Sequence, residues 1–416
     1  MFKKSLRRRI WFLPGIIFVM VSFSCNLPFA NSNHQRPGNN NGTVSPTIDE
    51  NMQSTGTQQS TSIPHAPEET NTPEPVVIQP TEMFADAQFR GFIGIKDQKF
   101  IAYDYQGVEL GFSVPSGPET IYSDNEVSVL TDSIVYTGFS DAFRVYQVDQ
   151  SGTRSLDFIS VTDPVSLSVS PDGTKIAWGT STWIDNAPQT EIFVANMDGS
   201  NIHLVDKILA SEQIDSWLVF HPIRWTTDGR LVYATGMTGI GGYLIFLGYN
   251  GIRIYDPQTD SIEILVNDNE MLGLCLSSIS EDLSKVAIVC HDPERAVRVR
   301  DLNTKNEIRY EVLPDQNSAG SAQFSASGDW LAYVIQRQNP EDEYGYVVVV
   351  PTDGSIPPKV IAENPGGTFH VEGWIDEESF LVTRYDDEGG GSIWRMNREA
   401  TDITRITDGY FVGFLP

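Results

Sequence analysis

Three of the six histidines are the strongest candidates for chemistry. His221 and His370 each stand four residues before a tryptophan in an apolar stretch (Trp225 and Trp374), and His291 begins a polar segment. Imidazole nitrogens are common transition-metal ligands, so one alternative is a metal-dependent, lyase-like enzyme acting on acidic polysaccharide. The other interpretation is that they are ordinary polar residues at the mouth of the fold's central channel. The sequence favours the second, because no supporting carboxylate pattern accompanies them.

Other catalytic patterns are missing from the sequence. The acidic runs 341–343 and 386–388 could hold Ca²⁺, but they lack the alternating carboxylates of a calcium loop. The glycine-rich stretch 236–251 lacks a phosphate-binding motif and predicts an extended hairpin. Neither a Gly-x-Ser-x-Gly nor a His-Glu-x-x-His motif occurs. The sequence therefore favours a non-enzymatic protein without a cofactor.

Six aromatic residues lie between apolar stretches and among acidic residues. They are Trp183, Trp217, Tyr243, Phe246, Tyr249 and Tyr344. Aromatic side chains within an acidic rim suit the binding of a protein or a glycan. The alternative is that these loops pack on one another.

The elements that must position these residues are short strands in a repeating pattern. In Ser166–Gly179 two apolar stretches flank Pro171-Asp172-Gly173, a tight turn between two strands. Related hairpins alternate with a second strand–turn–strand pattern, whose turns fall at residues 107, 152, 199, 260, 306, 354 and 400. Four strands in a unit of about 40–50 residues are typical of a β-propeller blade. A β-sandwich with accidental spacing is the alternative.

The count of hairpins predicts how the ring closes. The last eight residues, 409–416, resemble an inner strand, and Phe89–Ile95 supplies the next strand of the same blade. The sequence therefore predicts an all-β, seven-bladed β-propeller over 88–416, closed by its C-terminal strand, with Phe411 and Ile93 in one sheet. The tight turns share one face. The opposite face carries the longer insertions: 180–190, 206–220, 235–250, 336–346 and 385–391.

One blade carries a recognisable motif. Ser170–Trp178, followed by Ile192–Met197 and Asp198-Gly199-Ser200, resembles the WD40-like PD40 repeat of TolB-type propellers. The resemblance implies the fold and says little about function, because the Asp and Gly of the motif build a turn. TolB proteins also carry an N-terminal α/β domain, which this sequence replaces with a low-complexity segment. TolB partners are therefore not carried over.

The N-terminal segment predicts a location outside the cytoplasm. A basic start and an apolar run to Ser24 are typical of a secretory signal over 1–24. Val21–Cys25 resembles a bacterial lipobox, which predicts lipidation of Cys25, and an uncleaved membrane anchor is the alternative. Residues 25–87 are rich in Asn, Gln, Ser, Thr and Pro, a composition that predicts a disordered tether. We expect a monomer anchored to the cell envelope by lipid.

The net charge narrows the class of binding partner. The formal net charge is −27, which repels phosphate backbones and argues against nucleic-acid binding.

Cys275 and Cys290 are equally far from the centre of one predicted hairpin, so they stand opposite each other within disulfide range. Two buried free thiols are the alternative.

Overall fold

The computed structural model describes most of the chain from Phe89 onwards. The described ranges are 89–116, 120–121, 127–139, 142–161, 165–185, 187–213, 218–237, 248–268, 275–289, 296–311, 318–337, 344–386 and 390–416. The predicted signal over 1–24, Cys25 and the tether over 25–87 lie outside them. Across these ranges no helix has the length and apolar character needed to cross a membrane.

Twenty-nine strands and a 3-10 turn at Ala210–Glu212 make up the described secondary structure. The first twelve strands are β1 (Gly91–Lys96), β2 (Lys99–Tyr103), β3 (Glu109–Pro115), β4 (Thr120–Ile121), β5 (Val127–Val129), β6 (Ser133–Phe139), β7 (Phe143–Asp149), β8 (Gly152–Ser155), β9 (Leu167–Val169), β10 (Lys175–Ile184), β11 (Ala187–Asn196) and β12 (His203–Ile208). The next eight are β13 (Leu218–Trp225), β14 (Leu231–Met237), β15 (Gly251–Asp256), β16 (Ser261–Val266), β17 (Leu276–Ile279), β18 (Lys285–Val289), β19 (Ala296–Asp301) and β20 (Glu307–Glu311). The last nine are β21 (Ser318–Phe324), β22 (Trp330–Arg337), β23 (Tyr344–Pro351), β24 (Lys359–Pro365), β25 (Gly367–Trp374), β26 (Ser379–Asp386), β27 (Gly391–Asn397), β28 (Ile403–Asp408) and β29 (Tyr410–Leu415).

These strands form seven antiparallel sheets, which are the seven blades of a propeller. Blade 1 has the order β29-β1-β2-β3, and blade 2 is built on β6, β7 and β8 with β4 and β5 both paired to β6. Blades 3 to 7 take the remaining strands in groups of four, from β9–β12 to β25–β28. The predicted fold and blade count are confirmed.

Blade 1 is completed by residues from both ends of the described chain. Phe92 on β1 pairs with Phe414 on β29, and Gly91 pairs with Leu415. The ring of Phe414 also lies 4.9 Å from that of Phe89. A bulge places Phe411 opposite Gly94 within the same sheet. The predicted closure is confirmed, and it leaves blade 1 with an inner strand like the others.

The core consists of layers between neighbouring blades. Because side chains alternate along a strand, each blade turns one set toward the preceding blade and the other toward the next. The layer between blades 6 and 7, for example, contains Val334, Val347, Phe369 and Phe380, all at most 2% exposed. Burying a side chain of this size stabilises the fold by about 1.5–3 kcal/mol. Each blade therefore depends on both of its neighbours.

The tight turns on one face of the ring use their aspartates internally. Asp172 accepts hydrogen bonds from the Ser170 hydroxyl (2.6 Å) and the Thr174 N–H (3.0 Å), while Gly173 takes a φ of 68°. The hydrogen bond from Ser170, followed by those from Thr174, lowers the pKa of the Asp172 carboxyl. Asp149 and Asp198 accept the same kind of bond from the residue two positions on. These carboxylates are committed to turn structure.

The predicted cysteine pair falls on a hairpin whose register differs from the expected one. Cys275 is disulfide-bonded, and Cys290 lies outside the described residues. A bulge between Leu276 and Ser278 shifts the pairing by one position, so the Val289 N–H bonds to the carbonyl of Cys275. Cys275 is therefore opposite Val289 rather than Cys290. The Cys275–Cys290 pairing stays a prediction.

The closure can be tested by removing its strand. Deleting residues 410–416 should give a broad thermal transition at a lower temperature, because the apolar faces of β1 and β6 lose their cover. Several side chains, each worth about 1.5–3 kcal/mol, become exposed together. Differential scanning calorimetry measures this, with deletion of Pro416 alone as the matched control. An unchanged, cooperative transition in the longer deletion would contradict the closure.

Candidate functional site

The two faces of the propeller differ in the connections they carry. We call the face with the Asp-Gly turns, such as 170–174 and 197–202, the turn face. The loop face carries the links between second and third strands, such as Asp97–Gln98, and the links between blades. Since β1 runs from Gly91 toward Asp97, residue 91 lies at the turn face, and its partner Leu415 lies there too. The chain that precedes residue 89 therefore joins the propeller opposite the loop face.

Exposed apolar side chains are found at the loop-face ends of blades 1, 2 and 3. Trp183 is 49% exposed and Ile184 41% exposed at the tip of blade 3, and Phe139 is 39% exposed at the corresponding end of blade 2. The ring of Phe139 lies 4.6 Å from that of Phe143. Tyr410 of blade 1 is 38% exposed. Only Trp183 among these residues was expected from the sequence, although the others stand at strand ends, where outward side chains lose their neighbours.

The insertion predicted at 180–190 is regular structure. β10 and β11 continue as a paired ladder as far as Ile184 and Ala187, so Trp183 is opposite Pro188. The sequence predicted an insertion loop over 180–190, and most of that range is instead strand, because cross-strand pairing continues and the β-branched Thr180 and Thr182 favour extended backbone. Trp183 is consequently displayed on a rigid hairpin.

Of the other five predicted aromatic residues, two pack within the propeller and three lie outside the described residues. Tyr249 forms a β-bridge with Leu276 and lies with its ring 5.9 Å from that of His221. Tyr344 stacks on Tyr346 at 4.8 Å, and its hydroxyl donates to Glu363 at 2.6 Å. These two follow the loop-packing alternative. Trp217, Tyr243 and Phe246 lie outside the described residues.

His221 is enclosed on the inner strand of blade 4. Its Nδ1 lies 2.7 Å from the Ser166 hydroxyl of blade 3. A Cβ on Gly236 would come within 3.0 Å of the ring, so only glycine leaves room for it. Burial lowers the pKa of His221 to about 4, so its imidazole is neutral at neutral pH.

His370 has a carboxylate partner that sequence reasoning missed. Its Nδ1 lies 3.1 Å from Glu372 Oε2, and the Glu372 side chain is only 4% exposed. The signal was present, because residues two apart on a strand share a face. His291 lies outside the described residues, and within the described ranges no group of three or more His, Cys, Asp or Glu could hold a metal ion. The metal-ligand role of the three histidines stays a prediction.

Two carboxylates near the boundary of blades 3 and 4 share one arginine. Arg253 Nη2 lies 2.6 Å from Asp268 Oδ2, and its Nε lies 3.8 Å from Asp206 Oδ2. The Tyr233 hydroxyl donates to Asp206 at 2.9 Å. Because the guanidinium stands against both carboxylates, the arrangement is an ion bridge between blades. The sequence did not reveal it, since its members are far apart along the chain.

Comparison with known proteins concerns the architecture. No protein-family model and no curated protein matches the chain. Similar solved structures include TolB from Acinetobacter baumannii (17% identity over 66% of this chain and 63% of that chain, TM-score 0.38) and a putative TolB from Agrobacterium tumefaciens (12%, 78% and 90%, 0.35). Another is prolyl oligopeptidase B from Galerina marginata (10%, 77% and 52%, 0.46), of which the chain spans about half. TolB proteins are thus among its structural neighbours.

His221 should make stability depend on pH. Its folded-state pKa of about 4 lies below the ordinary value of 6.5, so between these values the unfolded chain takes up a proton that the folded chain does not. The full contribution is present above pH 6.5, and it is lost as the pH falls toward 4. The loss in unfolding free energy reaches at most about 3 kcal/mol.

Urea titrations between pH 7 and 4 measure this effect. His221→Asn, which keeps a polar partner for Ser166, should flatten the profile. His203→Asn removes an imidazole whose side chain is 46% exposed and is the matched control. Parallel profiles for the wild type and His221→Asn would contradict the assignment.

Proposed function

We propose that this chain is a non-enzymatic, lipid-anchored propeller outside the cytoplasm that binds a protein or glycan partner through its loop face. The observation that carries the proposal is the exposure of two aromatic side chains, Phe139 and Trp183, at the loop-face ends of neighbouring blades. Both lie on the face opposite the point where the chain enters at residue 89.

The contrast between the two faces supports this choice. On the turn face the polar side chains are used by the fold, as Asp149, Asp172 and Asp198 are by their turns. The turn face also exposes aliphatic groups such as Val108 and Ile356. Among the described residues, however, the large exposed aromatic side chains, Phe139, Trp183 and Tyr410, lie on the loop face, where contact with water costs free energy that a partner would recover. Trp is also among the residues that contribute most to binding when a partner covers it.

The N-terminal sequence supports the anchor. A basic segment, an apolar run and Cys25 stand in the order of a lipoprotein signal, followed by a polar segment of about sixty residues. A flexible chain of that length has a root-mean-square reach of roughly 40–50 Å.

Net charge bears on the class of partner. At −27 the chain repels nucleic acids and acidic polysaccharides at long range. That repulsion also counts against a metal-dependent enzyme acting on acidic polysaccharide, the alternative that the histidines suggested. A neutral or basic partner suits the charge better.

Substitution of the exposed edge tests the binding face. The double variant Phe139→Ala, Trp183→Ala should retain its partner from solubilised envelope membranes at least tenfold less well, because hot-spot aromatic residues each contribute about 2 kcal/mol or more. Quantitative mass spectrometry of captured proteins and glycans measures this. Val108→Ala with Ile356→Ala, exposed on the turn face at 60% and 48%, is the matched control. Equal capture by both double variants would contradict the loop-face assignment.

Lipidation of Cys25 is tested separately. Cells given an alkyne-bearing fatty acid should label the wild-type chain and leave Cys25→Ser unlabelled, because only the thiol at this position follows the signal. Fractionation should move the variant out of the membrane pellet. Cys275→Ser controls for loss of a cysteine as such. Label that persists in Cys25→Ser would show that the chain is not anchored through this residue.

A further inference from the structure

A groove between blades 2 and 3 is lined by the edge of the core layer and by polar groups that make no hydrogen bond to a described residue. It has a volume of about 300 Å³, at the lower end of the roughly 300–1,000 Å³ typical of ligand sites. One wall is formed by Phe158, Ser160, Val161 and Val165 after β8, and the other is the face of β10 and β11 turned toward blade 2. The lining residues used below are Phe158, Trp178, Thr180, Thr182, Glu191 and Phe193.

The floor of this groove is aromatic. Trp178 and Phe193 are cross-strand partners, and their rings stack at 5.5 Å with an angle of 18°. Phe158 meets Trp178 edge-on at 6.1 Å and 71°. Trp178 is 4% exposed, so its ring is held rigidly, while Phe193 is partly exposed beside it. The stack presents a fixed apolar surface at the bottom of the groove.

The walls above the floor are polar and set by strand register. Thr180 and Thr182 follow Trp178 at intervals of two, so all three share one face of β10. Their cross-strand partners are Glu191 for Thr180 and Gln189 for Thr182. Glu191 Oε1 lies 2.7 Å from Lys207 Nζ and 3.4 Å from Gln189 Nε2. Hydroxyls, an amide and an ion pair therefore stand above the aromatic floor.

Several of these groups lack partners in the part of the chain that the structure describes. The Trp178 indole N–H and the hydroxyls of Thr180 and Thr182 make no hydrogen bond to any described residue. The equivalent position in the second strand holds Tyr136 in blade 2 and Tyr233 in blade 4. Those two hydroxyls bond to Ser116 O and Asp206 Oδ2. Blade 3 thus leaves a polar group at the groove where its neighbours use theirs to join blades.

We propose that this groove binds a neutral saccharide. The proposal rests on the glycan branch of the proposed function and names its ligand class. A sugar ring has an apolar C–H face, which stacks on aromatic rings, and equatorial hydroxyls, which need donors and acceptors at the side. The groove offers both in that arrangement. The volume suits one or two rings, and the net charge of −27 selects a neutral glycan over an acidic one.

Calorimetric titration of the purified full chain tests the proposal. The probes are maltohexaose, cellohexaose and chitohexaose as neutral glycans, and hexagalacturonate as the acidic comparison. We expect at least one neutral hexasaccharide to bind at least tenfold more tightly than hexagalacturonate. Thr180→Val with Thr182→Val should weaken that binding at least tenfold, because it keeps the volume and removes two hydroxyls. Trp178→Phe should weaken it as much, because it removes the indole N–H and part of the aromatic floor.

Trp330→Phe is the matched control, since Trp330 lies on β22 of blade 6, outside both the groove and the loop-face residues Phe139 and Trp183. It should bind the saccharide like the wild type. Unchanged thermal transitions in the threonine variant show that the fold is intact. No neutral binding at millimolar concentration would overturn the inference, as would binding that fails in Trp330→Phe and survives in Trp178→Phe. Capture of a partner through Phe139 and Trp183 is measured independently, so the proposed function can stand where this inference fails.

Discussion

Pairing of β29 with β1 is the interaction on which the rest of the propeller depends. It joins Gly91 to Leu415, so one ladder closes a ring of seven blades. Every blade needs a neighbour on both sides to cover its two apolar faces, and an open array would expose two of them at once. The entropy of closing such a long loop rises only slowly with chain length, so the packing of Phe92, Phe411 and Phe414 can offset it.

Closure also settles what each face can offer. On the turn face the chain reverses within a few residues, and buried or half-buried backbone N–H groups need acceptors. Aspartates such as Asp172 supply them, so acidic side chains there serve the backbone. On the loop face strands end at different heights. Hairpins that are longer than their neighbours, such as β10–β11, extend their side chains beyond the layer that would cover them.

Blade 3 shows how a regular repeat can acquire an irregular surface. Its sequence resembles the PD40 repeat most closely, yet its second strand differs from those of its neighbours at the position that faces blade 2. Tyr136 and Tyr233 use their hydroxyls to tie neighbouring blades, while Trp178 turns an indole toward a groove. The Tyr333 hydroxyl of blade 6 also makes no hydrogen bond to a described residue, but Tyr333 is fully buried in its layer. At this one repeated position, a tyrosine in blades 2 and 4 ties the blade to its neighbour, while the tryptophan in blade 3 lines a groove.

The sequence by itself determined the strands, the turns, the number of blades and the closing strand, because alternation and Asp-Gly turns act over a few residues. Only the tertiary structure decided which side chains meet. A one-residue bulge moved Cys275 opposite Val289, and the partners of His221 and Arg253 come from other segments of the chain. Such contacts depend on bulges and on hairpin length, which shift a side chain from one face or layer to another without leaving a local pattern.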